Sequence, residues 1–484
     1  MLARLTAALT LTATTALAQQ TDITVGMALE PPNLDPTAGA AAAIDEVVYA
    51  NVYEGLTRFG PDGSILPALA ERWEVSDDGL TWTFVLHEGV TFHDGSSFDA
   101  DDVVFTLDRA RAVDSVNAQK VLFEGIAEVE ATDPRTVRVT LSAPNGNLAT
   151  SLAWGDAVIV APESAETNAT SPVGTGPFTV DRWVQGDRVE LVRNDAYWGE
   201  APALERATFK FIPDPNAAFA AMMAGDIDAY PNFPAPETLA SFANDPRFEV
   251  IVGTTEGETI LAMNNARLDA PLREAIAHAV DRQAIIDGAM FGYGTPIGSH
   301  FAPHNPDYVD LTDRSAFDLA AARAALDASS YDGRPLGLIL PPPSYARRGG
   351  EIIASQLRAA GIETEIRNVE WAQWLEQVFT GHDYDLTVIS HTEPADINIY
   401  ARPDYYFGYD SAEFRSLMEQ LDATANPEQR QALLRRAQET IADDHVNAYL
   451  FQLAKTGVAD ARIEGLWENA PTQANDLTGV RWNE

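Results

Sequence analysis

Between residues 335 and 390 the hydrophobic period changes at every turn of the chain, and no other stretch restricts the fold as much. It reads strand, helix, strand, helix, strand. Residues 351–360 carry a helical pattern with Gly361 as its cap, Ile362, Thr364 and Ile366 share one strand face, and residues 385–390 read as a buried-type strand. A buried strand needs cover on both faces, and helices between strands supply it. The alternation therefore predicts an α/β lobe.

The rest of the chain adds pieces to that lobe. Residues 22–29 alternate Ile23, Val25, Met27, Leu29 as an early strand, broken by Pro31-Pro32 and followed by a small-residue stretch over 37–43. Residues 73–86 read as a hairpin turning at Asp78-Gly79, with Trp82, Phe84 and Leu86 on one face. Asp99-Ala-Asp-Asp opens a helix with Val103, Phe105 and Leu107 as its inner face, its acids suiting the positive helix end. Residues 258–264 form a short apolar strand, and Pro271 starts one helix over 272–287 with Ile276, Val280 and Ala284 inside and Gly288 as its stop. Asn426-Pro427-Glu428 caps a helix carrying Leu433, Leu434, Ala437 and Ile441, and residues 449–453 form a return strand.

Composition excludes whole classes of function. The 484 residues contain no cysteine, so disulfides, Cys-ligated metal and a lipid-bearing thiol are ruled out. Net charge is −40, which repels nucleic acid and anionic membrane. The acid is spread along the whole chain, so it reads first as a solubility surface and second as an attractor of cationic ligands. At about 150 residues per domain the length suggests about three units. No later stretch approaches the ~18 apolar residues of a membrane span. Arg4, the apolar run 5–17 and Ala16-Leu17-Ala18 form a secretion signal, so residues 1–18 are expected to be removed and the mature chain to be soluble and periplasmic, without a lipid anchor.

The block at 65–109 (Ile-Leu-Pro-Ala-Leu-Ala-Glu-Arg-Trp through Phe-His-Asp-Gly to Asp-Val-Val-Phe-Thr-Leu-Asp-Arg) closely resembles the signature of one family. That family is the extracytoplasmic solute-binding proteins, family 5, of ABC importers for peptides, oligopeptides and nickel. Ser171-Pro-Val-Gly-Thr-Gly-Pro-Phe, Arg193-Asn-Asp-Ala-Tyr-Trp-Gly and Met222-Met-Ala-Gly-Asp-Ile-Asp-Ala are similar to it too. The resemblance implies a two-lobed periplasmic binding protein (type II, cluster C-like) with an extra subdomain in lobe I. The expected division is 19–46 lobe I, 47–165 extra subdomain, 166–262 lobe I, 263–454 lobe II and 455–484 returning to lobe I. Two strands, near 260–264 and 451–455, would join the lobes. The implied function is capture of di- or oligopeptides by hinge closure and delivery to a permease and ATPase, by a monomer with no cofactor. The same fold binding an oligosaccharide, an opine or another amine-bearing solute stays open; an enzyme is the remote alternative.

Motifs for catalysis are missing. Gly-Thr-Gly at 174–176 has no following lysine, and no nucleophile elbow, His-Glu-x-x-His or P-loop occurs. His300 and His304 are four apart but Pro303 lies between them, so a helical metal pair is not expected and both read as structural, as do His87 and His93. The segment 371–409 carries the ligand expectations. The resemblance implies that a carboxylate after the strand at 385–390 pairs with a ligand ammonium. Glu393 is nearest that position and Asp396 second, unless Glu393 is only an exposed loop acid. Trp371 matches a tryptophan walling the side-chain pocket, and Trp374, His391, Thr392, Tyr405 and Tyr406 are its candidate lining, with lobe core as the alternative. Gly39, Ala40 and Ala42 lie in the loop that touches the ligand main chain in relatives, where small residues permit close approach. Residues 340–345, Leu-Pro-Pro-Pro-Ser-Tyr, lack the arginine with which dipeptide-specific relatives hold a carboxylate.

Overall fold

Outside residues 1–19, 40, 393–395, 425 and 484, the computed structural model describes the whole chain. The expected secretion signal, Ala40 and Glu393 fall outside the described residues. One eleven-stranded sheet runs through the molecule. Its strands are β1 (Asp22–Met27), β6 (Phe178–Val184), β7 (Arg188–Arg193), β8 (Arg206–Phe211), β9 (Ala229–Tyr230), β10 (Phe248–Met263), β11 (Leu336–Leu340), β12 (Thr364–Asn368), β13 (Leu386–His391) and β14 (Asn447–Asp460), with Thr295–Pro296 added beside β14. Their order is β12-β11-β13-β10-β14-β9-β1-β8-β7-β6. A separate four-stranded sheet orders β2 (Ala70–Val75), β3 (Thr81–Leu86), β5 (Thr136–Leu141) and β4 (Ile126–Asp133) as β2-β3-β5-β4.

Local chemistry explains several boundaries. The hairpin β2–β3 turns at Gly79, which sits at φ 69°, and buries Trp82, Phe84 and Leu86 on one face. Helix α2 (Ala100–Arg111) starts with a capping box. The Asp99 carboxylate accepts from the Asp101 amide at 2.9 Å, and that of Asp102 accepts from the Asp99 amide at 2.9 Å. Its buried stripe is Val103, Thr106, Leu107 and Ala110, at helical spacing. Phe105 faces sideways and packs on the neighbouring core around β1.

The single helix expected over 272–287 is two helices, α3 (Ala270–Ala279) and α4 (Arg282–Met290). Asp281 breaks it by capping α4, its carboxylate accepting from the Ala284 amide at 3.1 Å. The buried Arg282 side chain then donates to the carbonyls of Ile297, Tyr449 and Ser315, so its direction is fixed by tertiary contacts. Gly288 lies inside α4. A Cβ there would stand 2.6 Å from Ile352 Cδ1, so this glycine lets α4 press on α5 (Ser344–Ala360). The helix ends instead at Phe291, φ 55°.

The central pair β10 and β14 serves both halves of the sheet. Phe248–Thr254 of β10 pairs with Ala454–Asp460 of β14, next to β9 and β1. After an irregularity between Thr254 and Glu258, the rest of β10 pairs with both β13 and the start of β14. The change of partner thus falls at 254–258, and Ile260 already lies within the β11–β13 half. Separate hydrophobic cores lie on the two halves: one around β1, β7 and β8, and two on opposite faces of β10, β11 and β13. The four-stranded sheet and α2 enclose another. None of the helices among the described residues is long and apolar enough to cross a membrane.

Candidate functional site

Where β10 and β14 cross between the halves, the chain concentrates charge. Glu256 and Glu258 are two residues apart on β10, so their side chains share one face. Gly257 between them allows the tight passage: a Cβ there would meet Ser390 Oγ and Thr255 Oγ1 at 2.9 Å and Leu453 Cβ at 3.0 Å. The loop after Thr295–Pro296, pinned by pairing to Phe451 and Gln452, brings His300 and His304 onto that face. His300 Nδ1 lies 3.1 Å from Glu258 Oε2 and its Nε2 lies 2.7 Å from Asp396 Oδ1. His304 Nε2 lies 2.5 Å from Glu256 Oε1, and Gln452 Nε2 donates to His304 Nδ1 at 3.0 Å and to the Thr255 carbonyl at 2.8 Å. Phe301, next to His300, holds φ at 92°, a conformation rare for a bulky side chain and typical of functional strain.

Burial sets the protonation here. Glu258 is 3% exposed. Desolvation is the main influence and pushes its carboxyl up to about 8; Asp396 and Glu256 add to the rise and His300 opposes it. Near neutral pH Glu258 therefore keeps its proton, and the His300 ring bridges it to Asp396. On the β14 side, burial lowers the Lys455 ammonium to about 8, opposed by Glu46 and Glu468, and its Nζ donates to the Trp467 carbonyl.

The end of β13 joins this cluster to the residues singled out from sequence. His391 is the register partner of Glu258. Its ring stacks on Tyr406 at 6.1 Å and 12°, with Nε2 2.9 Å from the Tyr406 hydroxyl. Asp396 and Thr392 are half-buried beside it. Tyr405 is half-buried under the Arg402 guanidinium, 4.6 Å from its ring centroid. Trp371 stands at the start of α6 (Trp371–Trp374) with 42% of its surface exposed. Trp374 and Tyr406 are buried: the Trp374 indole N–H donates to Thr387 Oγ1 at 3.0 Å, and its ring meets Tyr406 at 5.9 Å. On the opposite face of β13, the hydroxyls of Ser390 and its register partner Thr259 are buried without a hydrogen-bond partner among the described residues. Gly39 precedes α1 (Ala42–Val48); a Cβ would stand 2.4 Å from Ile44 Cδ1, and Ala42 is exposed.

Sequence reasoning read His300 and His304 as structural and passed over Glu256, Glu258 and Gln452. Pro303 does exclude a helical pair, but their partners come from a strand more than forty residues upstream. The usable signal was two acids at i and i+2 entering an otherwise apolar strand.

The two halves also meet away from the strands. Arg348 of α5 reaches Glu237 of the β9 half at 3.4 Å and covers the Phe291 ring at 5.1 Å. Tyr293 packs into the apolar cluster around Tyr230 and Phe233.

Comparison with known proteins agrees with this architecture. Residues 64–416 match the model of "Bacterial extracellular solute-binding proteins, family 5 Middle". The chain is 32% identical over 368 residues to the glutathione-binding protein GsiB of Salmonella paratyphi A, covering 74% of this chain and 71% of that one. It is 30% identical over 343 residues to the nickel-binding periplasmic protein of Escherichia coli, covering 65% of each. The structure of the periplasmic binding protein DppA from Helicobacter pylori in complex with peptide STSA superposes with a TM-score of 0.83 at 22% identity, covering 96% of this chain and 98% of that one.

Proposed function

Since the chain belongs to the bacterial extracellular solute-binding proteins, family 5, and is the solute-binding component of an ABC importer, we propose that its solute is a short peptide bearing a free ammonium group. The observation that carries this reading is the pair of acids at the strand crossing, Glu256 and Asp396, beside the protonated Glu258. A buried ammonium must recover its lost hydration from such groups. The exposed indole of Trp371 and the ring of Tyr405 offer rigid apolar area for side chains, with Trp374, Tyr406 and His391 holding them from behind. GsiB, named for a tripeptide with a free amine, and the STSA complex point the same way.

The mechanism is hinge closure. We set the hinge at 254–258 and 452–455, where β10 exchanges partners, with the remaining lobe divisions as expected from sequence. A solute touching both lobes favours the closed form by the difference in its contacts with the two states. The Glu237–Arg348 pair is a contact of the closed form. An ammonium–carboxylate pair with aromatic walls amounts to about 8 kcal/mol, or micromolar affinity. After secretion into the periplasm the closed surface is presented to the permease.

Calorimetry of di- to tetrapeptides against their N-acetylated forms tests the reading. Acetylation, or Glu393→Gln, should weaken binding at least tenfold. Equal binding of acetylated peptides, or heat only from oligosaccharides, would overturn it.

A further inference from the structure

Far from the crossing, three side chains converge that the binding cycle does not use. Glu274 and His278 lie four apart on α3, hence on one face of the helix. His445 sits in the turn between α7 (Pro427–Asp443) and β14. One ligand atom from each of the three lies within 4.8 Å of the others. His278 Nδ1 is 2.9 Å from the Ala316 carbonyl, which can only accept. Nδ1 therefore carries the hydrogen, and Nε2 keeps its lone pair; this is the arrangement that fixes a metal-binding imidazole. The Glu274 carboxylate and the His445 ring make no hydrogen bond or ion pair among the described residues. The two imidazoles stand 5.9 Å apart, edge to face.

The backbone around His445 is held in place. His445 adopts φ 45°, the left-handed region. Arg273 fixes that turn by donating to the carbonyls of His445 and Asp444 at 3.1 Å and of Leu268 at 2.8 Å. The guanidinium bonds only carbonyl oxygens here, and its positive charge still acts on the His445 ring. Asp318 and Asp443 add negative field at His278 and His445.

We propose that Glu274, His278 and His445 form a surface site for a borderline divalent transition metal, of which Zn2+ is the probe. Two imidazoles and a carboxylate suit zinc, copper or nickel, and do not suit calcium or magnesium. Tetrahedral bonds of about 2.0–2.1 Å require donor separations of about 3.4 Å, so donors at the outer limit of 4.8 Å would draw in by about 1.4 Å. The exposed Glu274 side chain is free to supply most of that movement. The fourth position would face solvent. The bland alternative is an exposed helical Glu–His pair beside an unrelated histidine.

The site lies about 20 Å along β14 from the crossing, seven residues at about 3.3 Å each, so it stands apart from the peptide reading. Tag-free protein stripped with EDTA should bind one Zn2+ by calorimetry. The metal should raise its unfolding temperature, because only the folded chain unites α3 with the turn at 445. Co2+ should give the intense visible bands of a four-coordinate site. Glu274→Gln, on the exposed face, should leave the metal-free unfolding temperature unchanged and weaken Zn2+ several-fold. His278→Gln and His445→Asn should each weaken it at least tenfold; asparagine tolerates the left-handed backbone. No saturable zinc binding, or one-to-one binding that survives in the double histidine variant, would overturn the proposal.

Discussion

Replacing Glu258 by glutamine should change how stability depends on pH, and the buried cluster sets the size of the change. Glu258 titrates near 4.5 when exposed and at about 8 in the folded protein, chiefly because it is desolvated. The folded chain therefore keeps a proton that the unfolded chain has lost. The stabilisation is complete below about pH 4.5, falls by about 1.4 kcal/mol per pH unit above it, and is gone once pH passes about 8. By pH 7 the wild type should have lost about 3 kcal/mol from this group alone. Glutamine occupies the same space and is neutral at every pH, as the protonated acid is. Glu258→Gln should match the wild type near pH 4.5 and gain on it steadily to about pH 8. Urea unfolding from about pH 5 to about pH 9 measures this, taken as the difference between the two proteins. Burial also lifts Glu46 and Asp156 to about 7 and Asp102 to about 6, but these are common to both and cancel. A difference that stays flat across the window would mean that Glu258 is ionised in the native protein, and its assigned protonation would be wrong.

Other substitutions probe the frame around the site. A Cβ on Gly253 would stand 1.9 Å from the Glu468 carbonyl oxygen, so Gly253→Ala should cost about 1–3 kcal/mol in urea unfolding by forcing the C-terminal segment off β10. Trp374→Ala should cost about 3–5 kcal/mol, since it empties a buried ring site and removes the donor to Thr387 Oγ1; Trp371→Ala should cost well under that and instead weaken peptide binding in calorimetry. Arg348→Ala removes an exposed ion pair, so stability should change by less than about 1 kcal/mol, while X-ray scattering of the ligand-free protein should shift toward a more open envelope.

Local signals in the sequence were enough for many elements. The hairpin at Asp78-Gly79, the capped start of α2 and the cap at Asn426 follow from turn and cap chemistry within a few residues, and the structure has them there. The alternation over 335–390 carried the α/β assignment because buried-type strands there are interleaved with a helical pattern. What failed was non-local. Ile276, Val280 and Ala284 keep helical period, yet Asp281 caps a new helix because Arg282 is held by carbonyls from three distant segments. Gly288 looked like a stop because a glycine's tight contact with another helix leaves no trace in its own neighbourhood. Of the candidate site, the segment at 391–406 was legible as an aromatic cluster beside acids. The Glu258–His300–Asp396 chain was not: Asp396 was singled out alone, and its two partners come from separate parts of the sequence with nothing local to link them to it.

The shared strand pair has a consequence for biogenesis. Residues 447–460 supply a central strand to each half of the sheet, and Phe248 finds its register partner at Asp460. A growing chain that has not yet reached this segment can complete neither lobe, whatever its earlier parts have built. Such distant pairing slows folding. Folding of either half therefore waits on the segment 447–460.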